Sequence, residues 1–126
     1  MSLNTVITHD DSGGYKVKMN GKLDVESTPE FERQIMEVLA DPKVRTIRLE
    51  LAELTFISSI GLGVVAKIRN AMNSRGGMVI VGAQPPIAKV FELVKVLPKA
   101  TLCANHKEAD EYLAAVQKKQ AESAPQ

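Results

Sequence analysis

The sequence predicts a single-domain α/β fold, with a mixed β-sheet of four to five strands and about four α-helices. Along the chain, short runs in which every second residue is apolar, as in strands, are followed by longer runs in which apolar residues recur with helical spacing. One run, Met78 to Gly82, is apolar throughout, which is typical of a central strand buried on both faces. The chain has 126 residues, which is enough for one apolar core and too few for two.

The first thirty residues predict an antiparallel hairpin. Thr5 to His9 is a short alternating run, and the sequence DDSGG at 10–14 is a dense turn signal. In the run 15–24, apolar residues alternate with lysines, as in a strand with one buried face. Asn20–Gly21 interrupts this run and indicates a tight turn or a bulge.

The first helix is predicted within residues 26–41. Ser27 or Thr28 can cap it, Pro29 is tolerated in its first turn, and the Asp-Pro pair at 41–42 stops it. Its apolar stripe consists of Phe31, Ile35, Val38 and Leu39. Met36 lies beside this stripe, and we expect it to be partly exposed, as at an interface.

The middle of the chain predicts a strand, a helix, a strand and a helix. The run 44–54 alternates as a strand, and a helix follows it and ends at the sequence RGG, 75–77. The apolar strand 78–82 then leads into a helix at 85–96. The apolar stripe of the second helix consists of Leu62, Val65, Ile68 and Met72, and that of the third of Ile87, Val90, Phe91 and Val94.

The last predicted elements are a short strand at 100–104 and a terminal helix at 106–116. The apolar face of this helix consists of Ala109, Tyr112, Leu113 and Val116. Residues 117–126 are polar and rich in alanine, and we expect them to fray. The domain is therefore predicted to span residues 1–116. Crossover helices make successive strands parallel, so the sheet is mixed.

Composition excludes several classes of function. The 16 basic and 15 acidic residues give a net charge of +1, whereas nucleic-acid binders usually carry an excess of cations. The single cysteine, Cys103, excludes an internal disulfide and suits a reducing compartment. No apolar run approaches the roughly 18 residues of a membrane span. We expect a soluble cytoplasmic protein with no nucleic-acid or membrane partner.

The sequence FISSIGLG, Phe56 to Gly63, places two hydroxyls and two glycines between a strand and a helix. A nucleophilic serine needs a base, but the only histidines are His9 and His106, and the G-x-S-x-G turn of hydrolases is absent. Gly61 and Gly63 suit a phosphate cradle, yet the lysine of the P-loop motif is missing. A hydrolase and a nucleotide-hydrolysing site are therefore the least favoured interpretations.

Two further interpretations of the serine pair remain. Ser58 or Ser59 can simply cap the second helix while the glycines allow close packing. Alternatively, a serine is displayed for modification, because a phosphoryl group at a helix start adds about −1.5 to −2 charges beside the positive end of the helix dipole. Such a dianion would repel a partner packed over the junction.

Other polar residues have simple interpretations. Cys103 and His106 supply only two metal ligands, and we interpret them as a buried strand thiol beside a histidine at a helix start. We therefore predict no metal and no cofactor. Lys16, Lys18 and Lys22 form a basic row that we interpret as a solvated strand face.

Most of the chain resembles the bacterial anti-sigma factor antagonists, whose fold is the STAS domain shared with sulfate transporter tails. The segment GKLDVESTPEFERQI resembles the family's G-x-L-D followed by a capped helix. RTIRLELAELTFISSIGLGVV resembles its long strand, loop and phosphorylation motif, and GGMVIVGAQPPIAKVFELVKV the following strand and helix. The ordered set implies a STAS-like single domain.

The resemblance assigns roles to the serine pair. The family motif is usually Asp-Ser-Ser/Thr-Gly-Leu, with the serine after Asp phosphorylated by a partner. Placing Gly61 and Leu62 on its Gly-Leu puts Ser59 at the phosphoacceptor, with Ser58 as the alternative acceptor. Ser58 then stands at the Asp position and Ile60 at the second Ser/Thr, and both are departures from the motif.

The resemblance also implies a partner surface. Asp24 in GKLD matches an acidic position of the family near the same surface, while a turn or cap residue is the alternative interpretation. The implied partner-binding residues are Asp24, Ser58, Ser59, Ile60, Gly61 and Leu62.

The implied function is partner switching by a binding module that is not an enzyme. Unphosphorylated protein would bind an anti-sigma factor, which is also a serine kinase of the histidine-kinase-like ATPase type, and so free the sigma factor. Phosphorylation at Ser59 would release the partner, and a serine phosphatase would restore binding. The alternative is a STAS subunit of a multi-protein scaffold or a lipid-transport complex without a phospho-switch. We expect a monomer or a weak dimer.

Overall fold

The computed structural model describes residues 3–95, 97–98 and 101–123, with side chains up to residue 119. In this part of the chain the strands are β1 (Leu3–His9), β2 (Gly14–Leu23), β3 (Thr46–Ile57), β4 (Met78–Val81) and β5 (Leu102–Cys103). The helices are α1 (Thr28–Ala40), α2 (Ser59–Met72), α3 (Pro85–Val94) and α4 (His106–Ser123). The predicted α/β fold, with a mixed sheet of four to five strands and about four helices, is confirmed.

The five strands form one mixed sheet in the order β1-β2-β3-β4-β5. β1 and β2 pair antiparallel, as the opening hairpin predicts, and the remaining three pairs are parallel. A parallel pair needs a crossover connection, and α1, α2 and α3 provide one between each successive pair from β2 to β5. The carboxyl ends of β2 and β3 therefore lie at the same edge of the sheet.

The sheet buries one face along most of its width and the other face only beneath α4. The main core contains Phe31 of α1, Ile68 of α2 and Phe91 of α3. A smaller core on the opposite face joins Val79 of β4 to Leu113 of α4. All four residues of β4 are buried, which confirms it as a central strand.

The outer face of β1 and β2 is solvated. Lys16, Lys18 and Lys22 of β2 are exposed, as predicted for a basic row on one strand face. Alternate residues of the same strand, Val17 and Met19, lie in the core, so β2 has one buried face.

The interruption at Asn20–Gly21 is a β-bulge. The register of β2 against β3 shifts between Lys18 and Asn20 and again between Gly21 and Lys22. Gly21 has a φ of 115°, a conformation that side chains disfavour and glycine adopts at little cost. Because Asn20–Gly21 forms a bulge and not a turn, β2 continues to Leu23.

β3 ends three residues later than the alternation predicts. Buried and partly exposed residues alternate up to Leu51, after which the buried positions recur at every third residue, Leu54 and Ile57. The register shifts in the neighbouring strand account for this change of period. As a result, no loop separates the strand from the serine pair.

Two features of the helices differ from the expectation. Val94 is 47% exposed, not buried with Ile87 and Phe91, because α3 ends at Lys95 in the left-handed conformation and its last turn extends past the core. α4 continues to Ser123, well beyond residue 116. Residues 96 and 100, placed by sequence in the third helix and last strand, and 124–126 of the tail lie outside the described residues.

Two smaller expectations are confirmed. Met36 is 41% exposed beside the buried stripe of α1. Cys103 is a buried thiol in β5, and burial raises its pKa above the ordinary value. Within the described ranges, no helix is long and apolar enough to span a membrane.

Candidate functional site

The serine pair lies at the point where β3 passes directly into α2. Ile57 is the last residue of β3, Ser59 is the first of α2, and only Ser58 stands between them. The Ser58 amide donates a hydrogen bond to the Leu23 carbonyl at 2.8 Å, which ties the junction to the end of β2. The pair therefore lies at the carboxyl edge of two parallel strands, where open α/β sheets usually bind their ligands.

Ser58 is the cap of α2. It has an extended backbone, with φ −86° and ψ 168°, and its Oγ accepts a hydrogen bond from the Gly61 amide at 3.1 Å. This bond satisfies one of the free amides of the first turn. The capping interpretation is confirmed for Ser58, and its hydroxyl is half-buried and engaged.

Ser59 is in a different environment. It is the first residue of the helix and is exposed, and its side chain makes no hydrogen bond to any other described residue. Its hydroxyl is next to the positive end of the helix dipole, where a negative charge is stabilised by about 0.3–1 kcal/mol. Of the two serines, Ser59 is the one whose hydroxyl is accessible to another protein.

Gly61 and Leu62 shape the site from below the surface. Both are buried, and Leu62 is only 8% exposed. A Cβ on Gly61 would lie 2.8 Å from Cδ2 and Cγ of Leu23 and 3.2 Å from Cγ1 of Ile57. The first turn of α2 can therefore rest on the end of β2 only because this residue is a glycine.

Asp24 organises the loop between β2 and α1. Its Oδ1 accepts hydrogen bonds from the Ser27 amide at 2.9 Å and the Glu26 amide at 3.1 Å. The turn role of Asp24 is confirmed. Because the neighbouring Leu23 carbonyl receives the Ser58 amide, this loop borders the serine junction.

The sequence predicts that a side chain caps α1, but no such hydrogen bond occurs among the described residues. Ser27 occupies the N-cap position, but its hydroxyl donates to the Lys22 carbonyl and accepts from the Asp24 amide. The Thr28 hydroxyl donates to the Asp24 carbonyl at 2.6 Å. Both hydroxyls therefore stabilise the loop instead of the helix start, because the bonds that Asp24 makes draw them towards it.

Three large exposed apolar residues occur close to Ser59 in the sequence or at the same edge of the sheet, and we name them the apolar rim: Val25, Phe56 and Ile60. They are 63%, 46% and 52% exposed, respectively. Val25 follows Asp24 in the loop, Phe56 pairs with the end of β2 in the sheet register, and Ile60 follows Ser59. Of these three residues, sequence reasoning identified only Ile60.

Neither histidine is placed to act as a base for the serine pair. His9 stacks on Tyr15 at the start of β2, with ring centroids 5.0 Å apart. His106 Nε2 lies 3.2 Å from Oε1 of Glu50. Glu50 precedes Ile57 by seven residues, or about 23 Å of extended strand. In addition, no group of three or more metal-ligating side chains occurs within residues 3–95, 97–98 and 101–119.

The two serines should differ in their effect on stability. Ser58→Ala removes the cap of α2 and is expected to lower the free energy of unfolding by about 1 kcal/mol. Ser59→Ala removes an exposed hydroxyl without a bonded partner and should change it by no more than about 0.5 kcal/mol. Urea denaturation of both variants beside the original protein measures the difference. Equal losses would contradict the assignment of Ser58 as the cap.

Fold and junction together define a class of protein, namely a small single-domain α/β module with a serine at the start of its second helix. The sequence model of the family described as STAS domain matches residues 4–109, most of the chain. The protein belongs to the STAS domain family.

The chain is also similar in sequence or in fold to several known proteins. An anti-sigma-B factor antagonist of Staphylococcus epidermidis is 32% identical over 95 residues, covering 74% of this chain and 85% of the relative. An anti-sigma factor antagonist from Mycobacterium paratuberculosis has a TM-score of 0.73 and 26% identity, covering 92% of this chain and 95% of that one. The Bacillus cell fate determinant SpoIIAA in its phosphorylated form has a TM-score of 0.68 and 19% identity, covering 86% and 97%.

Proposed function

We propose that this protein is an anti-sigma factor antagonist that acts by partner switching. In its unmodified form it binds an anti-sigma factor that is also a serine kinase of the histidine-kinase-like ATPase type. Phosphorylation of Ser59 releases that partner, and a serine phosphatase restores the binding form. The protein is then a binding module and a kinase substrate, not an enzyme.

One observation carries this proposal: Ser59 has an exposed hydroxyl with no hydrogen bond to a described residue, while the hydroxyl of its neighbour Ser58 caps the helix. A kinase must align the acceptor hydroxyl with the transferred phosphoryl group, which an engaged, half-buried hydroxyl resists. Ser58 can meet that requirement only if α2 loses its cap. Ser59 meets it in the folded protein without any rearrangement.

The surroundings of Ser59 fit a protein partner. The apolar rim offers three exposed large side chains to a docking surface, and clusters of exposed apolar residues mark interaction sites. A phosphoryl group at Ser59 would place a dianion among these side chains. The helix start would stabilise it in the free protein, but an apolar partner surface would have to desolvate it.

The relatives support the antagonist role. Two of the similar proteins are named anti-sigma factor antagonists, and a third has been described in a phosphorylated form. Cytoplasmic localisation follows from this proposal, since sigma factors act on RNA polymerase in the cytoplasm.

A phosphorylation assay tests the proposal. The protein, Ser58→Ala and Ser59→Ala are each incubated with ATP and the histidine-kinase-like ATPase encoded nearest its gene, and the phosphate is localised by mass spectrometry. We expect stoichiometric phosphate on the original protein and on Ser58→Ala, and none on Ser59→Ala. Phosphate on Ser58, or on neither serine, would overturn the proposed switch and leave the site as a docking surface only.

A further inference from the structure

A concave surface lies at the other end of the sheet from the serine pair. It is an open groove with a volume of about 1030 Å³, and we name it the basic groove. The turn between β1 and β2 forms one side of it, the start of β3 its floor, and α4 the other side. Thr46, at the start of β3, lines the groove and is 11 residues, roughly 35 Å of strand, from Ile57.

Four cationic side chains line the basic groove, namely Lys16, Arg45, Arg48 and Arg75, against the two carboxylates of Asp10 and Asp110. Asp110 forms an ion pair with Arg48. The side-chain hydrogen bond from Arg48 and, to a smaller extent, the nearby charge of Lys16 hold the pKa of Asp110 below its ordinary value. Arg45 forms no ion pair with any described residue, so its charge is available in the groove. With four cationic side chains and two carboxylates, the groove has a larger excess of positive charge than the whole chain, whose net charge is +1.

The Asp10 carboxylate already accepts hydrogen bonds within its own turn. Its Oδ1 accepts bonds from the Ser12 amide at 2.9 Å, the Ser12 hydroxyl at 2.7 Å and the Gly14 amide at 2.9 Å. The bond from Gly14, followed by that from the Ser12 hydroxyl, holds the pKa of Asp10 below its ordinary value. This carboxylate therefore stabilises its own turn and is not committed to a cation of the groove.

Arg45 is held in place by tight backbone packing. Its amide donates to the Gly13 carbonyl at 2.8 Å. A Cβ on Gly13 would lie 2.2 Å from the Lys43 carbonyl oxygen, and one on Gly76 would lie 2.2 Å from the Arg45 carbonyl oxygen. Three loops therefore meet closely around Arg45, and the backbone beneath its side chain has little freedom to move.

Arg75 is held in a similar way by the chain that precedes Arg45. Its Nη1 donates to the Asp41 carbonyl at 3.3 Å, a bond that leaves the other guanidinium donors uncommitted. Lys16 extends from β2, a strand paired on both sides. Close backbone packing, a hydrogen bond and strand pairing thus position the three cations, which lowers the entropy lost when they bind a ligand.

We propose that the basic groove binds a compact anion that carries several phosphate groups. The planar guanidinium groups match phosphate oxygens in a bidentate manner, and a cluster of cations favours a ligand with several negative charges over one with a single charge. The turn on one side and α4 on the other favour a compact ligand over an extended chain. This site is separate from the proposed switch at Ser59.

Calorimetric titration with sodium tripolyphosphate tests the proposal on the full chain, at a constant ionic strength of about 0.15 M so that screening is equal throughout. We expect saturable binding with one anion per chain. Arg45→Gln should weaken it about tenfold or more, the effect of losing one hydrogen bond between charged groups. Lys16→Gln should weaken it as well, and because Lys16 is an exposed strand residue this variant should remain folded.

Lys18→Gln is the matched control, since Lys18 is exposed on the same face of β2 but does not line the groove. It should change the affinity less than about twofold, as expected for a surface charge. Equal weakening by Lys16→Gln and Lys18→Gln, or no saturable binding, would overturn the proposal. So would tighter binding of a hexaglutamate peptide, which would indicate an acidic protein partner. Ser59→Asp should bind tripolyphosphate normally, so this test is independent of the switch.

Discussion

Gly61→Ala is expected to destabilise the protein and to displace the site. The added Cβ would lie 2.8 Å from two side-chain carbons of Leu23, which is fully buried and cannot move aside freely. Overpacking of this kind costs about 1–3 kcal/mol, and the better helix propensity of alanine offsets up to about 1 kcal/mol of it. We therefore expect a net loss of about 1–2 kcal/mol in the free energy of unfolding.

Gly63→Ala is the matched control for this prediction. Gly63 lies two residues further along the same helix, and a Cβ there would meet no atom within 4 Å. Here only the helix propensity changes, so the free energy of unfolding should rise by up to about 1 kcal/mol. Urea denaturation of both variants measures the two changes, which should have opposite signs. A stabilising Gly61→Ala would show that α2 does not rest on Leu23.

The same substitution also tests whether the position of Ser59 depends on Gly61. To relieve the contact with Leu23, the first turn of α2 must move away from the end of β2, and Ser59 moves with it. The rate of Ser59 phosphorylation should therefore fall in Gly61→Ala and stay near that of the original protein in Gly63→Ala. A fall in both variants would indicate that the kinase contacts the glycines directly.

Most elements of the fold could be predicted from the sequence because their signals are local. The uniformly apolar β4 and the regular stripes of α1 and α2 report burial directly, since each stripe faces the sheet. The end of β3 could not be predicted. Its period is set by register shifts in β2, a neighbour distant in sequence, and the alternation rule assumes an unbroken ladder.

The position of the serine pair between a strand and a helix could be predicted, but the different environments of the two serines needed coordinates. The sequence SS at a strand-helix junction is compatible with either serine as the cap, because the choice depends on where the helix begins. The structure places the start of α2 at Ser59, and Ser58 therefore caps it. Val25 and Phe56 were missed because apolar residues in a loop and at a strand end normally indicate burial, and only the fold shows that these two are exposed.

Ser59→Asp is expected to abolish most of the affinity for the anti-sigma factor while leaving the fold intact. In the free protein an acidic residue at the first position of α2 is favourable, by about 0.3–1 kcal/mol, so the free energy of unfolding should not fall. In the complex, the carboxylate would be desolvated among the residues of the apolar rim. An uncompensated buried charge at an interface costs about 2–5 kcal/mol, so the dissociation constant should rise by about 30-fold or more.

Two variants act as controls for this loss of affinity. Ser59→Ala should bind as tightly as the original protein, since the hydroxyl makes no bond to a described residue of its own chain. Asn70→Asp introduces the same charge on the exposed surface of α2, 11 residues or about 16 Å further along the helix, and should change the affinity less than about twofold. Calorimetry with the purified partner measures all three constants. If Ser59→Asp and Ser59→Ala bind equally well, Ser59 is outside the interface. If Asn70→Asp also loses affinity, the net charge of the protein, and not the position of the charge, controls the affinity for the partner.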